Sequence, residues 1–352
     1  MEKQLTLIID KLINEIGQVQ VLGDDKKVIT DVTADSRVVE NGSLFICLKG
    51  ATVDGHKFLK MAVEKGAVAA LVEDVPEEIP AGVTLLVVPD TRKAMEAVVP
   101  FFFDYPGKNM RMLGITGTNG KTTTTNIIRT VLRKAGYKVG LIGTINIMIE
   151  DEAVEAHNTT PDVVDLQKAL FAMKNAGCDY VVMEVSSHAL VLNRVAGCEY
   201  DCAVLSNITQ DHLDFHKTLE NYRDAKSLLF EGLANGVKEN KNAVFNMDDA
   251  SSEIIKARTK VNCLTYGKEH TNDIYPISFN VQAKEMQLKL ATPVGEMELN
   301  LKITGEFNVY NVMSAVACLL AEKVDKEIIC DVLNGFAGVP GRFQLVEAGQ
   351  PY

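Results

Sequence analysis

The stretch Gly114-Ile-Thr-Gly-Thr-Asn-Gly-Lys-Thr-Thr123 constrains this chain more than any other. An apolar run, Arg111–Thr116, precedes it, and a helical pattern follows, with Ile127, Ile128, Val131, Leu132 and Ala135 on one face. Gly136 is placed to stop that helix, and Val139–Ile142 reads as the next strand. A strand, a glycine-rich turn, a helix and a second strand imply a parallel sheet with a right-handed crossover. The turn reads as a phosphate-binding loop. Gly117, Thr118, Asn119 and Gly120 would turn backbone N–H groups toward an anion, and Lys121 would add a point charge. Thr122 would offer a hydroxyl to Mg²⁺, with Thr123 beside it. The strict pattern G-x-x-x-x-G-K-[ST] requires glycine where this chain has Ile115. The residues alone therefore leave open a strand-to-helix turn that binds nothing.

Further buried strands are predicted at 180–185, 202–205, 243–246 and 261–266, and helices at 308–322 and 325–334. Residues 277–303 alternate apolar and polar, which predicts antiparallel strands at the sheet's edge. Before residue 104 the chain alternates short strands (44–48, 67–72, 83–88) with helices (56–65, 91–103). The fold class expected is α/β: a small N-terminal α/β domain, then a mostly parallel sheet of phosphate-loop type flanked by helices with an antiparallel edge. The turn-rich Asp104-Tyr-Pro-Gly-Lys108 divides a first domain, 1–105, from a second, 109–337, and 338–352 would begin a third.

Ligands of an open parallel sheet gather at the carboxyl ends of its strands. Glu184 ends one strand in Met-Glu-Val-Ser-Ser-His188, and His212 follows another in Asn207-Ile-Thr-Gln-Asp-His-Leu-Asp214. With Thr122 they could converge on Mg²⁺; equally, His212 could cap a helix and Glu184 could pair with a cation. Lys226, on an amphipathic helical pattern, reads as a solvated lysine. Asn158-Thr-Thr-Pro161 could cap the helix that starts near Asp162 or bind substrate oxygens. Ala34-Asp-Ser-Arg37 and Asp54-Gly-His56 fit either turns or a ligand pocket.

A net charge of −11 without a basic block argues against a nucleic-acid partner. No apolar run of about 18 residues occurs, so no membrane span is expected, and the N-terminus lacks a secretory h-region. The seven cysteines are odd in number and lie mostly in apolar runs, which fits a reduced cytoplasm.

Taken together, these residues resemble the Mur ligase family of peptidoglycan synthesis across essentially the whole chain. The resemblance is carried by Ala34-Asp-Ser-Arg37, Gly42-Ser-Leu-Phe45, Asp54-Gly-His56, Gly114–Thr125, Asn158-Thr-Thr-Pro-Asp162, Glu184-Val-Ser-Ser-His-Ala-Leu190, Asn207–Asp214, Ala225-Lys226, Gly305-Glu-Phe-Asn-Val-Tyr-Asn311 and Gly338-Val-Pro-Gly-Arg342. The family's own loop is a Gly-Thr-Asn-Gly-Lys-Thr variant, which accounts for Ile115. Within the family, the resemblance is to the ATP-dependent enzymes that add a third amino acid to UDP-MurNAc-L-Ala-D-Glu, with meso-diaminopimelate favoured over L-lysine.

The resemblance implies site roles. Lys121, Glu184, His212 and Lys226 would be catalytic, and Thr122, Glu184, His212 and a carbamylated Lys226 would hold Mg²⁺. Asn308, Asn311 and Arg342 would lie near the nucleotide. Ser36, with the loop 50–53 beside it, would touch the uridine diphosphate. Asn158, Thr159, Thr160, Ser186 and Arg194 would hold the muramoyl dipeptide, and Leu192 stands where some relatives carry glutamine. It further implies a cytoplasmic monomer. Only the start of the family's third domain, which supplies the amino-acid pocket, would be present, so this chain is expected to bind substrate but to ligate poorly. The other readings are a non-catalytic nucleotide-binding module and a ligase of the folylpolyglutamate synthetase kind.

Overall fold

The computed structural model describes residues 1–50, 53–156 and 158–343. The chain forms two compact units. One comprises 1–106 with 161–171 and 193–198; the other comprises 107–160, 172–192 and the remainder from Glu199.

The first unit carries a five-stranded sheet in the order Gln20–Leu22, Thr84–Val87, Ala69–Val72, Ser43–Ile46, Asp31–Thr33. All pairs are parallel except the first. Side chains of a strand alternate between faces. Leu44, Ile46, Leu71 and Leu86 accordingly face a core shared with the helices Leu5–Ile16 and Thr91–Phe102, while Phe45, Ala70, Val72 and Leu85 pack with Leu59 and Ala62. Asp90 caps the helix Thr91–Phe102 by accepting the Lys93 N–H at 3.0 Å. The segments 161–171 and 193–198 are tied in by polar pairs. Arg92 donates two 2.8 Å bonds to the Asp162 carboxylate, and Lys168 meets Asp31 at 2.8 Å.

The second unit is built on an eight-stranded sheet in the order Glu152–Glu155, Asn146–Ile149, Val139–Ile142, Tyr180–Glu184, Arg111–Thr116, Cys202–Leu205, Asn242–Asn246, Asn262–Tyr266. The last six strands are parallel, and a hairpin over 146–155 forms the antiparallel edge. Strand 111–116 lies between strands 180–184 and 202–205. Its register sets Ile115 beside Glu184 and Thr116 beside Leu205, so three carboxyl ends lie together.

The helices Lys121–Lys134 and Phe307–Ala321 pack in one continuous core with Leu113, Ile115, Val182 and Val204. The apolar residues of 286–301 join that core. Their strands do not extend the edge of the large sheet, as the sequence pattern suggested. Tyr275–Val281, Met286–Ala291 and Met297–Leu301 pair among themselves as a separate antiparallel sheet, linked to strand 262–266 by a single Tyr266–Ile274 bridge. Met286, Leu288, Leu290, Met297, Leu299 and Leu301 are buried in the core shared with helices 307–321 and 326–333, the second of which packs on strand 297–301, and this explains the separation: the small sheet's apolar face covers helix rather than extending the large sheet. Among the described residues no helix is long and apolar enough to cross a membrane.

Candidate active site

Thr116 ends its strand fully buried, and the chain then turns through Gly117 (φ 146°) and Gly120 (φ 88°) into helix 121–134. Only glycine fits at either position. A Cβ on Gly117 would collide with Ser206 Oγ, and one on Gly120 with Asn311 Oδ1. The loop is pinned from strand 202–205 and the residues after it. Asn207 accepts the Thr118 N–H on its backbone oxygen at 2.8 Å and the Asn119 N–H on its side-chain oxygen at 3.0 Å, and its amide donates to Asn119 O at 3.1 Å. Ser206 Oγ donates to Asn119 O at 2.6 Å. The loop thus sits preformed at the N-terminus of a fourteen-residue helix, where backbone dipoles favour an anion.

Two lysines converge on one carbonyl. Lys121 Nζ donates to Gly117 O at 2.8 Å and to Thr118 O at 3.0 Å. Lys226 Nζ donates to the same Gly117 O at 3.0 Å and lies 4.5 Å from the centre of the Tyr222 ring. The expectation of a solvated Lys226 is overturned, since only 1% of the residue is exposed. Tyr222, Ala225, Lys226, Leu229 and Phe230 form the inward face of helix 219–232, and the lysine lies on the apolar side of its own helix. Burial pushes the Lys226 ammonium well below its usual pKa, and the charge of Lys121 pushes the same way. Lys121 is also lowered, chiefly by burial, although Glu184 and Asp211 oppose it.

Glu184, 1% exposed, ends the neighbouring strand. Its carboxylate accepts from Thr122 Oγ1 at 3.1 Å, Thr144 N–H at 3.0 Å and Thr144 Oγ1 at 3.0 Å. No cation forms an ion pair with it among the described residues. A buried carboxylate solvated only by hydroxyls and an amide, beside the threonine of a phosphate loop, is a donor set suited to a hard divalent cation.

The Thr159 hydroxyl lies 3.1 Å from Thr144 Oγ1, and Thr160 Oγ1 donates to Glu184 O at 2.9 Å while accepting the Ser186 N–H at 3.0 Å. Asn158 is exposed nearby in sequence. Ser186 Oγ caps helix 187–191 by accepting the Ala189 N–H at 3.2 Å. The structure therefore brings Thr122, Glu184, Thr159, Thr160 and Ser186 into one neighbourhood. His212 stands apart from that carboxylate. Its side chain is 49% exposed, its backbone is left-handed (φ 52°), and its ring is 4.9 Å from His188 and 6.2 Å from Tyr222. Tyr222 connects the two groups, because its hydroxyl lies 3.2 Å from Thr118 Oγ1 and its ring faces Lys226.

On the other side of the loop lies a cavity of about 610 Å³, lined by Asn119, Gly120 and Thr123 at one end and by Asp248, Phe307 and Tyr310 beyond. Asn311 and Arg342 also line it. Asn308 lies a turn below, accepting Asn311 Nδ2 at 2.8 Å. Ser36 is buried in the first unit, next to an Asp35 carboxylate that accepts the Arg37 N–H at 2.8 Å and its Nε at 2.9 Å. Arg194 belongs to the same unit, in the segment 193–198. The loop 50–53 includes residues 51 and 52, which lie outside the described residues. Asp54-Gly-His56 is a structural hook: Asp54 Oδ1 lies 2.7 Å from His56 Nδ1, and Nε2 accepts the Glu73 N–H at 2.9 Å.

Thr144 and Tyr222 were not singled out from the sequence, and Asn207 stood only within the 207–214 motif, without a role of its own. Thr144 had a usable signal, since it follows strand 139–142, a direct neighbour of strand 180–184. Tyr222 had none until the inward face of helix 219–232 was known.

A phosphate loop whose lysine shares a carbonyl with a second, buried lysine, facing a carboxylate on the adjacent strand, defines a class of nucleotide-dependent enzymes. The chain belongs to the Mur ligase family. Residues 115–319 match the Mur ligase middle domain, and residues 28–102 match the Mur ligase family catalytic domain. It is similar to the UDP-N-acetylmuramoyl-L-alanyl-D-glutamate–2,6-diaminopimelate ligase of Bacillus cereus, 44% identical over 97% of this chain and 69% of that protein. The enzyme of the same name from Geobacillus thermodenitrificans is 45% identical over 92% of this chain and 66% of that protein. A solved structure of a ligase with that name superposes with a TM-score of 0.81 at 27% identity, covering 99% of this chain and 69% of the other. The chain thus spans about two thirds of the length of the relatives it matches.

Proposed function

We propose that this chain catalyses, or forms the nucleotide- and acceptor-binding part of, the ATP-dependent joining of a third amino acid to UDP-MurNAc-L-Ala-D-Glu. The amino acid is meso-diaminopimelate in preference to L-lysine. The observation that carries the reading is the preformed loop with Lys121 and Lys226 on Gly117 O, opposite a Glu184 carboxylate that has no counter-cation among the described residues.

In this reading the γ-phosphoryl group of ATP passes to the D-glutamyl side-chain carboxylate, giving ADP and an acyl phosphate. The amine then attacks the acyl carbon and phosphate leaves, so one C–N bond replaces one C–O bond. The protein acts by placement and charge. Lys121 leaves the loop carbonyls for the phosphates, and the backbone N–H groups of 117–122 hold them. Thr122 and Glu184 would hold Mg²⁺, which supplies neutralisation of the charge on the transferring group.

Lys226 suits carbamylation because burial favours its neutral amine. The lone pair of the neutral amine would bond to the carbon of CO₂ with loss of one proton, so that a neutral group becomes an anion that could join Glu184 and His212 at a second ion. Thr159, Thr160 and Ser186 would line the acceptor side, with Asn158, Ser36 and Arg194 as further contacts. Asn311, Asn308 and Arg342 would border the nucleotide. The working form is a cytoplasmic monomer.

The test is calorimetry of the chain with UDP-MurNAc-L-Ala-D-Glu, with a non-hydrolysable ATP analogue and with a folate, followed by mass spectrometry for amide product with each amino acid. Binding of the muramoyl dipeptide but not the folate is expected. Binding of folate alone would overturn the substrate assignment.

A further inference from the structure

A second cavity, of about 310 Å³, lies on the flank of helix 121–134 away from the nucleotide cavity. Thr122, Asn126 and Arg129 line it from one stripe of that helix, at the spacing of successive turns. Leu141, Ile145, Met148, Val339 and Pro340 supply apolar walls, and Glu184 closes the end near Thr122.

Arg129 is the unusual member. It is partly buried; among the described residues its Nε, shielded from solvent, has no hydrogen-bond partner, and its one hydrogen bond runs from Nη2 to the backbone oxygen of Glu150. Among the described residues no carboxylate lies within ion-pair distance of it. The nearby acids are engaged elsewhere. Glu150 Oε1 accepts the Val139 N–H at 2.6 Å, and Asp151 pairs with Arg133 at 2.8 Å. Burial and the charge of Arg133 both disfavour the bare guanidinium, and the charges of Asp151 and Glu150 offset them only in part. A cation left in this state, with unspent donors in a planar fork, matches a carboxylate.

We infer that this cavity is a binding site for a short-chain carboxylate, held by Arg129 with its hydrocarbon tail against Leu141, Ile145 and Met148. The volume sits at the small end of the range for ligand pockets, which suits a molecule of roughly ten non-hydrogen atoms or fewer. The apolar walls favour an alkyl carboxylate over a free phosphate. The Glu184 end repels a second anionic group and so sets the orientation, carboxylate toward Arg129. The cavity shares its Thr122 and Glu184 end with the proposed metal site, while the carboxylate end at Arg129 rests on no part of the ligase reading.

The experiment titrates the whole chain with hexanoate, following thermal stability and heat of binding, with inorganic phosphate at matched ionic strength as the control. Saturable stabilisation by hexanoate and little by phosphate is expected. Arg129→Gln should weaken it about tenfold or more. Ile145→Trp, which fills the cavity from a half-exposed position and keeps the charge, should also abolish it. Both variants should bind the ATP analogue as the parent does, which separates failure here from failure at the phosphate loop. Absence of saturable binding, equal stabilisation by phosphate, or undiminished binding in Arg129→Gln would each overturn the inference.

Discussion

Lys226→Met should stabilise the fold while removing a residue the proposed chemistry needs. In the absence of ligand the Lys226 ammonium is fully buried, with one hydrogen bond to Gly117 O at 3.0 Å and the Tyr222 ring at 4.5 Å. A hydrogen bond to a charged group is worth about 1.5–3 kcal/mol. A desolvated cation–π contact adds about 2 kcal/mol. Against these stands a desolvation cost of several kcal/mol, and replacing buried charge by apolar side chains of similar volume often gains about 1–4 kcal/mol. Lys121 adds repulsion by donating to the same oxygen, and it keeps that carbonyl satisfied once Lys226 is gone. Methionine is flexible enough to fill the space.

A net gain of about 1–2 kcal/mol follows, which for a unit of this size is a rise in Tm of about 2–8 °C. The sign of the pH dependence is fixed. The folded-state pKa of Lys226 lies below its unfolded value, so the lysine costs stability wherever the unfolded chain holds the proton, and the cost vanishes as pH rises toward about 10.4. Thermal unfolding in CO₂-free buffer should therefore show the variant more stable near neutral pH and equal to the parent at high pH. A variant less stable than the parent, or a gain that does not change with pH, would refute the reasoning.

Three other outcomes are expected. Lys121→Ala should lower any ATP-dependent turnover by about 10²–10³-fold, with the unfolding midpoint little changed, as measured by ADP release. Gly117→Ala should lose about 2 kcal/mol or more, because its positive φ is strained for alanine and its Cβ meets Ser206 Oγ; denaturant titration and calorimetry with the ATP analogue read both consequences. Burial would raise the Glu199 carboxyl, but the Lys238 N–H and the Lys241 and Lys238 ammonium groups outweigh it and hold it below its usual value. That group stabilises the fold above its unfolded pKa of about 4.3 and stops doing so as pH falls through the lower folded value. Glu199→Gln should then cost about 1–2 kcal/mol near neutral pH and little in acid.

The parts of the structure legible in the sequence were those written in local pattern. Strands 111–116, 139–142 and 202–205 begin and end where their apolar runs do, because a strand buried on both faces reads as a continuous apolar run. The glycines at 117 and 120 marked a turn that the tertiary structure then demands for a second reason, the close approach of Ser206 and Asn311. What stayed hidden was whatever depended on a partner distant in sequence. Residues 275–301 showed strand periodicity but not the helix their apolar face would cover. Lys226 shows the same limit more sharply. Helical periodicity gives a face but not its orientation, and a lysine on the buried face of 219–232 cannot be told from one in water by spacing alone. Leu228, two residues further along the same helix, is exposed.

The pairing of Lys121 and Lys226 on Gly117 O is best understood as a strained resting state. Two ammonium groups on one carbonyl, both with depressed pKa values, are a poor arrangement for a protein selected only for stability. In the proposed reaction each would relieve that cost in a different way. Lys121 would swing onto an arriving phosphate, which also frees an acceptor for Lys226. Lys226 would become neutral and then, on taking up CO₂, anionic, which turns its repulsion of Lys121 into attraction. The buried Glu184, with no counter-cation among the described residues, completes the imbalance beside Thr122. In the proposed reaction a magnesium-bound polyphosphate would supply the matching charges, negative at the lysines and positive at the carboxylate. The crowding of two cations on one carbonyl beside that carboxylate is therefore what suits the site to its proposed ligand, and that is why the stability gain expected of Lys226→Met and its expected loss of function share one physical cause.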